Sequence, residues 1–221
     1  MSATERVYRT IGGVPLRYVR VSPALTSVYI RSTSEFEDKL DRFSYNLASA
    51  APSWYGPVRW IATAGAYVPK PGYHGLGRAF DLDIVRWKNA ACRPIHGHHT
   101  STVARRRRYI GVDALARRWF KYVLDAGYNS AHLDHIHMDD GGGALVFSIH
   151  YRSDTVFVQR AANVMMGAGL AIDGIYGPLT HAAFHRMKER MDIPHRVSSS
   201  PRTYRRFLWR LAVMALRNKR V

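Results

Sequence analysis

Cysteine is nearly absent. The one thiol in 221 residues, Cys92, excludes an internal disulfide and any cysteine-built metal centre, and this usage fits synthesis in a reducing cytoplasm. No uncharged apolar run approaches the roughly 20 residues that a bilayer-spanning helix needs, so no transmembrane segment is expected. The leading residues, Met1-Ser2-Ala3-Thr4-Glu5-Arg6, lack the apolar core of a secretory signal, so unaided export through the general secretory route is not expected. Acidic residues are scarce: 16 Asp and Glu against 33 Lys and Arg give a net charge of +17. Internal repeats and low-complexity tracts are missing too.

The 47% hydrophobic content is enough for packed cores, and the length suits one ordinary domain plus a small one. Val7 to Val21, around Gly12-Gly13, reads as strand and turn. Phe36, Leu40, Phe43 and Leu47 recur at near-helical spacing and predict an amphipathic helix over Glu35 to Ala50, with acidic residues in its first turn. Val58 to Thr63 reads as a strand. Arg107 to Ala126 holds a second helix, with Leu115, Trp119, Tyr122 and Val123 facing inward and Gly127 as its stop.

Two segments carry chemistry. In the first, His74 stands on a glycine-rich approach and Asp81 on the alternating stretch Phe80-Asp81-Leu82-Asp83-Ile84, which reads as a strand. In the second, Asp134-His135-Ile136-His137-Met138 also alternates, so His135 and His137 project to one face and one of them completes a metal triad. Catalytic zinc usually keeps three ligands drawn from His and Asp or Glu, leaving a position for water. His96, His98 and His99 fall in a polar stretch and read as solvated loop residues. Cys92 has no histidine held against it and is not expected to be a nucleophile.

The pattern H-x-x-G-x-A-x-D over His74, Gly77, Ala79 and Asp81, followed by His135-x-His137, resembles the zinc D-Ala-D-Ala peptidase superfamily of cell-wall enzymes. The tract Tyr128 to Asp139 resembles its extensin-like branch in particular. The resemblance implies that His74, Asp81 and His137 hold zinc, and that Asp134 is the carboxylate moving the proton from water to the leaving amine, with His135 as rival or assistant. A straight strand would turn Asp134 away from His137, so this role requires a bend. Two departures stand out: Gly72 replaces a serine common in the family, and Ala64-Gly65-Ala66-Tyr67-Val68 lacks the family arginine. Arg59, Lys70 or Arg78 would have to replace that cation. Arg78 and Tyr67 are the candidates for substrate contact in the cleft, and Asp83 is a candidate to orient a ligand histidine.

After Ile149 the signal changes. Helical periodicity over Val156 to Met165, the loop Asp173-Gly174-Ile175-Tyr176-Gly177-Pro178, a helical stretch Ala182 to Arg190 and a third over Tyr204 to Leu216 together resemble the small three-helix peptidoglycan-binding domain. Asp173, Tyr176 and Thr180 would line its wall-contact surface. A cell-wall hydrolase without an export signal suggests a phage endolysin, made in the cytoplasm and acting on peptidoglycan after release through a holin-type lesion.

Charge supports a rival reading. Arg105 to Arg108, and the tail Arg202 to Arg220 with Tyr204, Phe207 and Trp209 interleaved, are what a nucleic-acid surface contains. Yet Phe207, Leu208, Leu211 and Ala215 recur at helical spacing and read as core, so specific nucleic-acid recognition is not expected; an anionic wall or outer-membrane surface attracts the same charge. The resulting expectation is an α+β catalytic domain over 1–149, a small antiparallel sheet flanked by helices with a zinc cleft across it. Ala144 to Ile149 closes the sheet beside the His135-His137 strand, Gly141 to Gly143 forms a turn, and a three-helix domain covers 150–221.

Overall fold

Ten strands and five helices form among the residues that the computed structural model describes, 5–20, 25–194 and 196–221. In chain order they are β1 (Glu5–Tyr8), β2 (Thr10–Ile11), β3 (Val14–Tyr18), β4 (Thr26–Ser27), β5 (Ile30–Thr33), α1 (Ser34–Ala50), β6 (Val58–Gly65), β7 (Ala79–Trp87) and β8 (Ala91–Cys92). They continue as α2 (Val103–Arg117), β9 (Tyr122–Leu124), β10 (Ile136–Asp139), α3 (Arg152–Met166), α4 (Pro178–Arg190) and α5 (Pro201–Leu216). The expected leader residues Met1 to Thr4, and Val21 at the end of the first strand segment, lie outside the described residues.

The main sheet runs β2-β3-β6-β7-β10-β9, with β4 on β3 and β8 on β7; β1 and β5 pair separately. The fold is mixed α and β, as expected, but the sheet is not wholly antiparallel. Strands β3 and β6 run parallel, Leu16 beside Ile61 and Arg17 beside Ala62. Parallel neighbours need a crossover, and the chain between them carries α1. That helix forms as its sequence predicts: Thr33 caps it, its hydroxyl accepting from the Phe36 N–H, and Phe36, Leu40, Phe43 and Leu47 are fully buried.

Two expected elements are corrected. Helix α2 ends at Arg117, not near Gly127, and Tyr122 and Val123 belong to β9, where Val123 sits opposite Met138 and Tyr122 opposite Asp139. These β-favouring residues are captured by an open sheet edge, while Phe120 turns inward against Phe36 and Phe43 at 5.3 and 6.4 Å between ring centroids. Gly127 instead gives room to α3: a Cβ there would meet Arg160 Cδ at 2.5 Å. Ala144 to Ile149 forms no strand, because β9 already occupies the edge beside β10. Phe147 from that segment plugs the helical layer, its ring 4.7 Å from Phe184.

The helices after Arg152 share a continuous buried cluster with α1 and α2. Helix α5 lies close enough to α2 that a Cβ on Gly111 would meet the Leu216 side chain at 2.9 Å. Its stripe Phe207, Leu208, Leu211 and Ala215 is buried, which places those side chains in the core rather than on a charged surface. Arg117, fully buried, binds Asp113 at 2.7 Å and Asp154 at 3.2 Å and donates to the Val123 carbonyl, tying α2, α3 and β9 together. A buried arginine of this kind is tolerable because each of its three nitrogens finds an acceptor.

Candidate metal centre

Sheet register assembles the site. Strands β7 and β10 pair so that His137 stands directly opposite Asp81, flanked by the apolar pairs Ile136 with Leu82 and Met138 with Phe80. On that pleat His137 and Asp81 share one face while their neighbours enter the core. His137 Nδ1 lies 2.8 Å from Asp81 Oδ1. His74 comes from the short turn Tyr73–Leu76, which Gly77 ends in the left-handed conformation (φ 64°); a Cβ on Gly77 would meet Ser32 Cα at 3.1 Å. Its Nδ1–H donates to the Ala66 carbonyl (2.7 Å), which fixes the tautomer and aims Nε2 at Asp81 Oδ2, 3.3 Å away.

One ligand atom from each of His74, Asp81 and His137 lies within 4.8 Å of the others, so one ion can reach all three. The donor set fits zinc in kind, two imidazoles and a carboxylate. The surrounding bonds fit as well: His74 is oriented by a backbone carbonyl, and His137 Nε2 lies 3.2 Å from Asp139 Oδ2, the carboxylate–histidine arrangement that orients metal ligands. In a second grouping that shares His137, one ring nitrogen from each of His132, His135 and His137 also lies within 4.8 Å of the others. The first alone contains an anionic ligand.

Electrostatics follow from the crowding. Burial opposes the Asp81 carboxylate, but hydrogen bonds to His137 and His74 outweigh it and hold the group well below the usual carboxylate range. Burial likewise opposes charge on His137, yet Asp139 and Asp81 push the imidazole up to about 9. His132 goes the other way, down to about 4, through burial and repulsion from His135 and His137. Its Nδ1–H donates to Asn129 Oδ1 at 2.6 Å.

Asp134 lies in a bend just before β10, as its expected role requires, but its partner is not His137. Its Oδ1 accepts from His135 Nδ1–H at 2.6 Å and its Oδ2 from Arg20 at 2.9 Å. His135 Nε2 lies 3.6 Å from Asp81 Oδ1, so His135 stands between Asp134 and the cluster. Burial works to raise the Asp134 carboxyl, but His135 and Arg20 hold it below its ordinary range.

Comparison with protein-family models, with curated proteins and with solved structures finds no match. The reading of the site therefore stands on its own geometry.

The cation beside the cluster is Arg20, which sequence reasoning missed. It follows β3 and grips fully buried Asp83 through two bonds, 2.6 and 3.0 Å, while reaching Asp134. Asp83 thus anchors Arg20 rather than a histidine. Of the three expected substitutes, Arg78 is engaged by Asp140 (2.7 Å) and lies over the Tyr73 ring, while Arg59 and Lys70 are exposed. Tyr67 packs under Arg31. Asp139, which holds His137, was also missed; its only signal was that it falls two residues past His137 on the same strand face.

Other expectations divide. His98 is buried, its Nδ1 accepting from the Arg93 N–H at 3.1 Å, so it braces its own loop and is not a solvated residue, whereas His96 is exposed and His99 half-buried against Tyr109. Cys92 is buried and its thiol is pushed up to about 12 by desolvation, which removes it as a nucleophile at neutral pH. Asp173 staples its loop, accepting from Gln159 (2.7 Å) and from the Ile175 N–H (2.9 Å), and the Tyr176 ring lies against Phe147. Gln159, Asp173, Ile175, Leu179 and Thr180 line a small cavity of about 170 Å³ there. A larger one, about 540 Å³, opens beside Lys39, Trp119, Asp140 and Gly141 and takes no side chain from the triad.

Proposed function

We propose that this protein is a zinc-dependent peptidase acting on peptidoglycan stem peptides or cross-links, of the kind a phage endolysin uses against the host wall. The observation that carries the reading is the convergence of His74, Asp81 and His137 within reach of one ion. Zinc bound there supplies a Lewis acid that makes water acidic near neutral pH and stabilises charge on an amide oxygen. Asp134 and His135 act as one unit. Arg20 keeps the Asp134 carboxylate ionised and turned toward His135, and the carboxylate sets the histidine tautomer so that Nε2 faces the cluster. The pair takes a proton from the attacking water and delivers it to the amine nitrogen as the C–N bond breaks.

Wall contact falls to the loop around Asp173 and Tyr176 in the C-terminal helices, where Ile175 and Leu179 are 68% and 77% exposed beside the small cavity. The excess of basic side chains favours an anionic polymer surface in general. Purified protein added to isolated peptidoglycan tests the reading. Release of new free amines, abolished by chelator, restored by zinc and lost in His137→Ala, is expected. If Asp134 and His135 form one unit, Asp134→Asn and His135→Gln each cost about 10²–10⁴ in rate and the double variant is no slower than the slower single. Amine release that survives complete zinc removal would overturn the mechanism, and wall pelleting with no amine release would make the protein a binder.

A further inference from the structure

Beyond the cluster, the sheet carries an irregularity with consequences for a long substrate. Pairing between β6 and β7 steps from Ala62 opposite Ile84 to Thr63 opposite Leu82, so Asp83 is an extra residue, a bulge. The bulge shifts the alternation of β7 by one. Phe80, Leu82, Val85 and Trp87 enter the core, while Ile84 and Arg86 come to the same face as Asp81. Ile84 lines an apolar trough of about 310 Å³ with Val19, Leu25, Trp60 and Ile95, and Arg93 and His96 form a wall common to this trough and a second cavity of about 360 Å³. At a strand rise of about 3.3 Å per residue, Arg86 stands on the order of 15 Å from Asp81.

Basic side chains dominate the second cavity: Arg86, Arg93, Arg105 and Arg108 line it together with His96 and His98, beside Asn89, Ala90 and Ala91, and among the described residues no carboxylate does. Neutral groups hold three of these arginines. Arg108 donates to Tyr55 Oη (3.0 Å) and the Ala91 carbonyl (2.8 Å), Arg105 to Ser101 Oγ (3.2 Å) and Arg86 to the Lys88 carbonyl (3.3 Å). Elsewhere Arg20, Arg78, Arg117 and Arg160 each rest on an aspartate. Among the described residues no carboxylate pairs with any of the cavity's four arginines, and guanidinium groups gathered at one opening favour an anion. His98 adds a donor, since Nδ1 accepts from the backbone and the ring proton must then sit on Nε2. Burial and the neighbouring arginines 105, 108 and 93 hold that imidazole down at about 4, a repulsion that a bound anion would relieve.

We propose that this cavity is an anion-binding subsite for a carboxylate or phosphate group of the same polymer whose reacting bond lies at His74, Asp81 and His137, with the apolar trough spanning the interval. The link to a reacting bond rests on the peptidase reading; the anion site does not. The test follows the His98 imidazole by NMR in the full-length protein, titrated at constant ionic strength with inorganic phosphate and, separately, with glutarate. A saturable shift, with the His98 pKa rising by at least about one unit, and at least tenfold weaker binding in Arg93→Gln/Arg105→Gln are expected, while circular dichroism of the variant stays unchanged. Which probe binds more tightly tells a phosphate-bearing polymer from a carboxylate-bearing peptide. On isolated walls the same variant should raise KM about tenfold with kcat preserved, as loss of uniform binding requires. Absence of a saturable shift with either probe, or an unchanged variant, overturns the subsite even if walls are hydrolysed; anion binding without hydrolysis leaves the subsite standing and removes the peptidase reading.

Discussion

Replacing Arg20 with Met separates two jobs that one side chain performs. On one side it pairs with Asp83, whose carboxylate is fully buried and bonded at 2.6 and 3.0 Å; on the other it pairs with Asp134, which is 48% exposed. Breaking a buried pair by removing one partner costs about 3–5 kcal/mol, because the remaining charge is left in a poor solvent. An exposed pair is worth about 0–1 kcal/mol. Arg20→Met should therefore lose about 3 kcal/mol or more, nearly all through Asp83, and Arg20→Met/Asp83→Asn should recover most of it. Burial already sets the Asp83 pKa above its ordinary value with Arg20 present, so the stability this group contributes is full at low pH and falls as pH rises through its folded pKa. Without Arg20 that loss is larger at neutral pH, and the deficit of the single variant should shrink as the pH is brought toward 4 and Asp83 protonates. Urea unfolding at pH 7 and near pH 4 measures it. A single variant within about 0.5 kcal/mol of the parent at pH 7, the range of ordinary surface changes, would refute the buried pairing. If stability is restored in the double variant while hydrolysis stays low, the remaining defect belongs to Asp134.

Two further outcomes are expected. With the metal removed, His137 titrates near 9 against an ordinary 6.5, so the stability it contributes is full below pH 6.5 and is lost as pH rises to 9; zinc affinity should climb over the same window, with a proton released on binding at pH 7. Calorimetry in buffers of different ionisation enthalpy checks this, and zinc uptake without proton release would contradict it. Arg117→Met takes from buried Asp113 and Asp154 the cation bonded to both and should cost about 3–5 kcal/mol in urea unfolding, whereas Met with both aspartates replaced by Asn should be far milder.

Local patterns made some of this legible. His74, Asp81 and the pair His135 and His137 stood out because a glycine-rich turn leading into an alternating strand, and a short His-x-His strand, each restrict where side chains point; the preference for His137 over His135 came from the family resemblance. Helix α1 and the buried stripe of α5 followed from their spacing. What the sequence did not disclose depends on contacts between distant segments. Arg20 lies 63 residues from Asp83 and 114 from Asp134, and nothing in its local sequence distinguishes it from the chain's other arginines. Tyr122 and Val123 continue a helical apolar pattern as well as a strand one, and only the free edge of β10 decides between them. The bulge at Asp83 is a property of pairing with β6, so the face taken by Ile84 and Arg86 had no signature in β7 alone. His98 looked solvated among polar neighbours, yet a backbone N–H five residues back draws it inward.

Zinc affinity across a short set of single variants tests the central claim most directly. His137 belongs to both possible ligand groupings and cannot tell them apart, so His74, Asp81 and His132 are the informative positions. The parent should bind one zinc per chain; His74→Ala and Asp81→Ala should lose it, while His132→Ala keeps it. Zinc retained in Asp81→Ala and lost in His132→Ala, or no zinc bound by the parent, would contradict the assignment.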